Sequence, residues 1–159
     1  MSNFKIVPLT EHFCNRIRQT MQDDYGNQLF AAVATGAGPC RQSLKPFRVG
    51  ADHRILLSHT PFESQNAYHQ IGPIFIHAGP VETYSDIYRF PPEIKADKVN
   101  FPLSIIGYSP DDRMVYTELV GDNDIDERLE AVFNEHPEAD YLHVRNSEAC
   151  CFICKVERR

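Results

Sequence analysis

No run of about 18 apolar residues occurs in the chain, which excludes a membrane-spanning helix. The opening segment MSNFKIVPLTEHFC lacks the long apolar core of an export signal. Basic charge is in short supply: 16 Lys and Arg stand against 22 Asp and Glu, a formal net charge of -6. Phosphate-rich partners are repelled by such a chain, so nucleic acid and anionic membranes are excluded as general ligands. Repeats, low-complexity tracts and long linkers are missing. So are the G-x-S-x-G elbow, the H-E-x-x-H helix, the EF-hand loop, the Walker loop and the dinucleotide fingerprint.

What is present fits an ordinary folded protein. With 42% hydrophobic and 24% charged residues, the 159 residues suffice for a single globular domain over 1–159 with its own core. The 5 cysteines, an odd number without an export signal, read as reduced thiols in the cytoplasm.

Residues 4–9 read as a short strand that ends near Pro8. Thr10 then caps a helix whose apolar stripe is Phe13, Ile17 and Met21, with Gly26 as its stop. Strands are expected over residues 29–34, 54–58, 73–78, 103–108 and 114–120, the last two joined by the turn Ser109-Pro-Asp-Asp112. Residues 40–44 read as a short extended piece, and residues 80–100, with their prolines, as a long ordered excursion. Asp124 opens a second helix with the buried stripe Ile125, Leu129, Val132 and Phe133, ended by Pro137. Residues 141–145 and 152–156 form a final hairpin. Two principal helices among about eight strands with hairpin turns predict an α+β fold with a mostly antiparallel sheet.

Cys151-Phe-Ile-Cys154 matches C-x-x-C, but its flanks are strand formers. In a strand, positions i and i+3 lie about 10 Å apart and point to opposite faces. Such a pair can neither share a metal nor close a disulfide. No second close ligand pair accompanies it, so no metal set is assigned and cofactors are left open.

Alternation is more informative. Leu142 and Val144 face one way, and Tyr141, His143 and Arg145 the other. Taking Phe152, Cys154 and Val156 as the apolar set of the partner strand puts Cys151 beside His143 and Arg145, where a guanidinium favours a thiolate. The plainer alternative is a polar outer sheet face that includes a cysteine.

His77 stands in Gly72-Pro-Ile-Phe-Ile-His-Ala-Gly79, and His59 at a strand end in Ser58-His-Thr-Pro-Phe62. A buried neutral imidazole needs a partner for each nitrogen, so His77 is either a bonded structural histidine or a site residue. Cys40 and Arg41 follow Gly36-Ala-Gly-Pro39, whose glycines let backbone amides approach an anion.

Four phrases stand out together: Pro39-Cys-Arg-Gln-Ser-Leu44, Leu56-Leu-Ser-His-Thr-Pro-Phe62, Tyr68-His-Gln-Ile-Gly-Pro-Ile-Phe-Ile-His77, and His143-Val-Arg-Asn146 followed by Cys151 and Arg158. They resemble a family of uncharacterised bacterial proteins of about this length, catalogued as a domain of unknown function. The resemblance spans roughly residues 38–158. It implies a whole-chain domain and supplies no catalytic assignment. In the family pattern a glycine precedes the cysteine of the last motif; Cys150 holds that place here, which makes the backbone of that turn the point of departure.

Those phrases contain the residues hardest to explain as packing. The expectation is a polar pocket that binds a small anionic or carbonyl-bearing molecule. Cys151, His143 and His77 are the candidate catalytic residues; Arg41, Arg145, Cys40 and His59 are the candidate substrate-binding residues. The pocket requires Cys151, His143, Arg145 and His77 to share one cleft. The alternative is a non-catalytic protein-interaction module anchored by Tyr84, Tyr88 and Phe90. A third possibility is a metal held by His59, His77, His143 and a cysteine, gathered by tertiary contacts.

Overall fold

The computed structural model describes residues 1–159. The elements are β1 (Phe4–Val7), α1 (Glu11–Thr20), β2 (Ala31–Val33), β3 (His53–His59), β4 (Gly72–His77), α2 (Pro92–Ala96), β5 (Leu103–Tyr108), β6 (Met114–Leu119), α3 (Ile125–Glu135), β7 (Tyr141–Asn146) and β8 (Phe152–Arg158). They form an α+β fold with two antiparallel sheets. The larger has five strands in the order β1-β8-β7-β5-β6, and the smaller has three in the order β2-β3-β4.

Helix ends follow local chemistry. The Thr10 hydroxyl accepts from the Phe13 amide, and α1 stops where Met21 turns left-handed at φ 49°. Asp124 accepts from the amides of Asp126 and Glu127 to open α3. At the other end of α3 stands Arg158. Its guanidinium donates to the carbonyls of Phe133, His136 and Ala139, at 2.8, 2.9 and 2.9 Å. That places a positive charge on orphan carbonyls at a helix C-terminus.

The main core lies between α3 and one face of the five-stranded sheet. It joins Leu129, Val132 and Phe133 to Ile105, Leu142, Val144, Cys154 and Val156. A second core lies between α1 and the three-stranded sheet, where Cys14 and Ile17 meet Ile55, Leu57, Ile74 and Ile76. Central strand β7 pairs with β5 on one side and β8 on the other.

Several local expectations are corrected. Residues 40–44 form a buried turn rather than an extended piece: the Leu44 amide donates back to the Cys40 carbonyl at 2.9 Å, and Leu44 has φ 52°. Residues 80–100 contain α2, which begins with a proline at its first turn, where a missing amide hydrogen does no harm. The outer face of β7 is covered rather than polar, because Tyr141 and His143 are both buried. Phe152 departs from the core set of Cys154 and Val156. A bulge between Val144 and Arg145 shifts the pairing, and the Phe152 ring sits 5.1 Å from that of His143 on the far face. Of the proposed docking aromatics, Phe90 is fully buried in the main core and Tyr84 packs against it. Tyr88 is half-exposed, with the Arg159 guanidinium 4.0 Å over its ring.

Candidate functional site

The turn of residues 40–44 links the two sheets, and its position determines the site. The Cys40 backbone bridges to Phe75 of β4. The Arg41 amide donates to the Phe75 carbonyl and the Arg41 carbonyl accepts from Leu9, both at 3.0 Å. The Arg41 side chain then crosses to the other sheet, where Nε donates to the Phe152 carbonyl at 2.7 Å and Nη1 donates to the Pro39 carbonyl.

Arg41 is 1% exposed, among the most deeply buried large side chains in the protein. No carboxylate accompanies it. Burial pushes its pKa down from the ordinary arginine value; the thiols of Cys151, Cys40 and Cys154 pull it back. The Phe152 carbonyl that Arg41 binds is one residue beyond Cys151, so the guanidinium reaches the start of β8 beside that cysteine. This is a buried cation with no carboxylate among the groups that act on it.

Cys151 is half-buried and opens on a cleft of about 400 Å3. The cleft walls include His59 at the end of β3, Gln70 from the β3–β4 loop, Arg145 of β7, and Cys150, Cys151 and Phe152 at the start of β8. No Asp or Glu lines it. Burial holds His59 down at about 4, with the positive charge of Arg41 acting the same way and Asp24 opposing, so its imidazole is neutral near pH 7. Arg145 Nη1 donates to the Cys150 carbonyl at 3.2 Å.

Asn146 builds the connection between β7 and β8. Its side-chain oxygen accepts from the amides of Glu148 and Ala149, both at 2.9 Å. Its amide donates to the Cys151 carbonyl at 3.0 Å. Closing this turn requires Cys150 to sit in the left-handed region at φ 64°, a conformation that favours glycine. Cys150 therefore carries its side chain on a strained backbone angle.

His143 lies beneath the cleft rather than in it. It is fully buried, with its ring 4.9 Å from Phe62, 4.8 Å from Tyr108, 5.4 Å from Tyr141 and 5.1 Å from Phe152. Neither ring nitrogen has a hydrogen-bond partner. Burial drives its pKa to about 3, with Arg145, Lys155 and His59 adding in the same direction, so the ring is neutral.

His77 stands apart. It pairs with Arg54 at the far end of β4, whereas His59 pairs with Gly72, and five strand steps separate the two levels by roughly 16 Å. Its ring lies 4.7 Å from Phe47, in a different hollow with Asp52 and Arg48. The structure thus gathers Cys151, His59, Arg145 and Arg41, seats Cys40 behind Arg41, seals His143 under aromatic rings and leaves His77 elsewhere. His59, His77 and His143 do not cluster, and no three His, Cys, Asp or Glu side chains come together as metal ligands.

The fold and cleft define a class: an α+β domain with two antiparallel sheets, joined by a buried arginine that meets a cysteine at the edge of a pocket. The chain belongs to the family described as a protein of unknown function, DUF1203, whose model matches residues 37–158. That match includes every residue of the cleft. It leaves out β1, α1 and β2, which complete the larger sheet, cover the smaller one and supply its edge strand. No curated protein and no solved structure matches the chain. No helix is long and apolar enough to cross a membrane.

Proposed function

We propose that the protein binds a small anionic or carbonyl-bearing molecule in the Cys151 cleft and presents the Cys151 sulfur to it as a nucleophile. One observation carries this reading: Arg41 is a buried guanidinium with no carboxylate partner, and the cleft it underlies contains no acid although the whole chain carries a net charge of -6. An uncompensated buried charge costs several kcal/mol unless something negative offsets it. The cleft supplies no carboxylate of its own, so the negative partner is a bound anion.

Roles follow from placement. Arg41 reaches the start of β8 beside Cys151 from within the protein, and Arg145 reaches the cleft from β7 to hold a carboxylate or carbonyl oxygen. His59, neutral near pH 7, accepts a proton or hydrogen bond and takes the role that the sequence pattern offered to His143 and His77. Cys40 is a packed neighbour of Arg41. The free state of all five cysteines fits a reducing compartment, the cytoplasm.

The test is alkylation of Cys151 by iodoacetamide, followed by peptide mass spectrometry in the Cys150→Ser protein. Cys151 reacts fastest of the thiols, millimolar propionate or pyruvate slows it, and Arg145→Gln abolishes that protection. Reaction at the rate of an unstructured thiol, untouched by any small acid, refutes the proposal.

A further inference from the structure

The Cys151 cleft is only half of a longer groove. A second hollow, of about 350 Å3, lies over the outer face of β5 and the Arg145 end of β7. Gln70, Arg145 and Cys150 line both hollows, so they are two arms that meet at Arg145. Each arm is small by itself; together they reach the middle of the roughly 300–1,000 Å3 usual for small-molecule sites.

The arms differ in chemistry. The first ends at Cys151 and the buried Arg41. The second is lined by Tyr68, Ile106, Tyr108 and Met114, again without an acid. The Tyr68 and Tyr108 rings stand edge-to-face at 6.2 Å, and Arg145 lines the same hollow. An aromatic guest adds well to such a pair: ring edges meet ring faces, and a thioether adapts to the remaining gap. Tyr68 comes from the β3–β4 loop and is 39% exposed, so it can close over an occupant without disturbing the core.

Resting on the anion-binding reading above, we infer that the occupant is a carboxylate that also carries an aromatic ring, with its acid at Arg145 and Cys151 and its ring against Tyr68 and Tyr108. Arg145, at the junction, is the residue that can hold the acid while its guanidinium plane flanks the ring. An anion of the bare acid class fills the first arm alone.

The experiment compares protection of Cys151 from iodoacetamide by propionate, by phenylalkanoates of increasing linker length, and by the matching phenylalkanols. At the best linker length the aryl acid protects at a concentration about tenfold or more below propionate, as burial of one ring supplies. Tyr68→Ala returns the aryl acid to the potency of propionate and leaves propionate unchanged. The phenylalkanols, lacking the acid, protect at least tenfold less well than the acids, on the order of a lost charge-assisted contact. If propionate protects and no aryl acid does better, or if Tyr68→Ala leaves the aryl advantage intact, the aromatic arm is refuted while the anion site stands. If no acid protects at all, both readings fall together.

Discussion

The Nε of Arg41 lies 2.7 Å from the carbonyl oxygen of Phe152, fastening a turn buried between the sheets to the strand that starts beside Cys151. Removing the side chain orphans this carbonyl and that of Pro39. Arg41→Met is expected to lower stability by about 3 kcal/mol, the usual cost of two unsatisfied buried acceptors. Arg41→Lys recovers little of it, because one ammonium cannot reproduce a fork that reaches two separate carbonyls. Urea unfolding of the three proteins checks this; a lysine variant as stable as the parent would contradict the geometry.

His143 has the opposite character: a polar ring whose two nitrogens serve nothing in the folded state. His143→Phe keeps the aromatic packing and removes the desolvation penalty. The variant is expected to equal or exceed the parent at pH 7, by about 1 kcal/mol. Its pH dependence changes as well. Burial lowers His143 to about 3 and His59 to about 4 from the ordinary 6.5, so between those limits the unfolded chain binds more protons. The stability tied to the neutral rings is complete above 6.5 and drains away as pH falls toward 4. His143→Phe flattens that slope. Denaturation midpoints at several pH values read it, and an unchanged slope would show that the ring is not the group responsible.

Cys150 supplies a third measurement. Its φ of 64° strains a side chain that glycine lacks. Cys150→Gly is therefore expected to raise stability by about 1 kcal/mol while leaving Cys151 in place. A loss in the urea midpoint would mean that the thiol contributes more than its backbone costs.

Asp112 ties down the β3–β4 loop. It accepts from the Ser64 hydroxyl and the Tyr141 hydroxyl, and these bonds hold its carboxyl below the usual range. Asp112→Ala frees the loop that carries Phe62, Tyr68 and Gln70. Amide exchange in residues 62–71 is expected to accelerate about tenfold or more, corresponding to loss of one or two hydrogen bonds. Exchange across α3 stays unchanged, and uniform acceleration in both regions would point to general destabilisation instead.

Much of the framework was legible because its determinants are local. Residues 103–108 form the predicted strand, Thr10 and Asp124 cap the two principal helices, and alternation places Leu142 and Val144 opposite His143 and Arg145. What escaped depends on the other sheet. A one-residue bulge beside Val144 turns Phe152 toward His143, and no pattern in the strand announces it. The burial of Arg41 contradicts every compositional expectation for arginine, because a glycine- and proline-bearing turn reads as surface. His77, inside an apolar run, and His59, at a strand end, were both offered to one pocket, yet they mark opposite ends of one hairpin. Alternation put Arg145 on the outer face of β7, but it placed Cys151 by a register that the bulge breaks, and the meeting of both with Arg41 and His59 is a property of the tertiary fold.

The arginine in the turn of residues 40–44 holds Phe75 through its amide, Leu9 through its carbonyl and Phe152 through its side chain. Sliding one sheet against the other breaks at least one of these bonds. The turn therefore works as a rivet, and the two halves of the molecule stay in one alignment only while its three bonds hold.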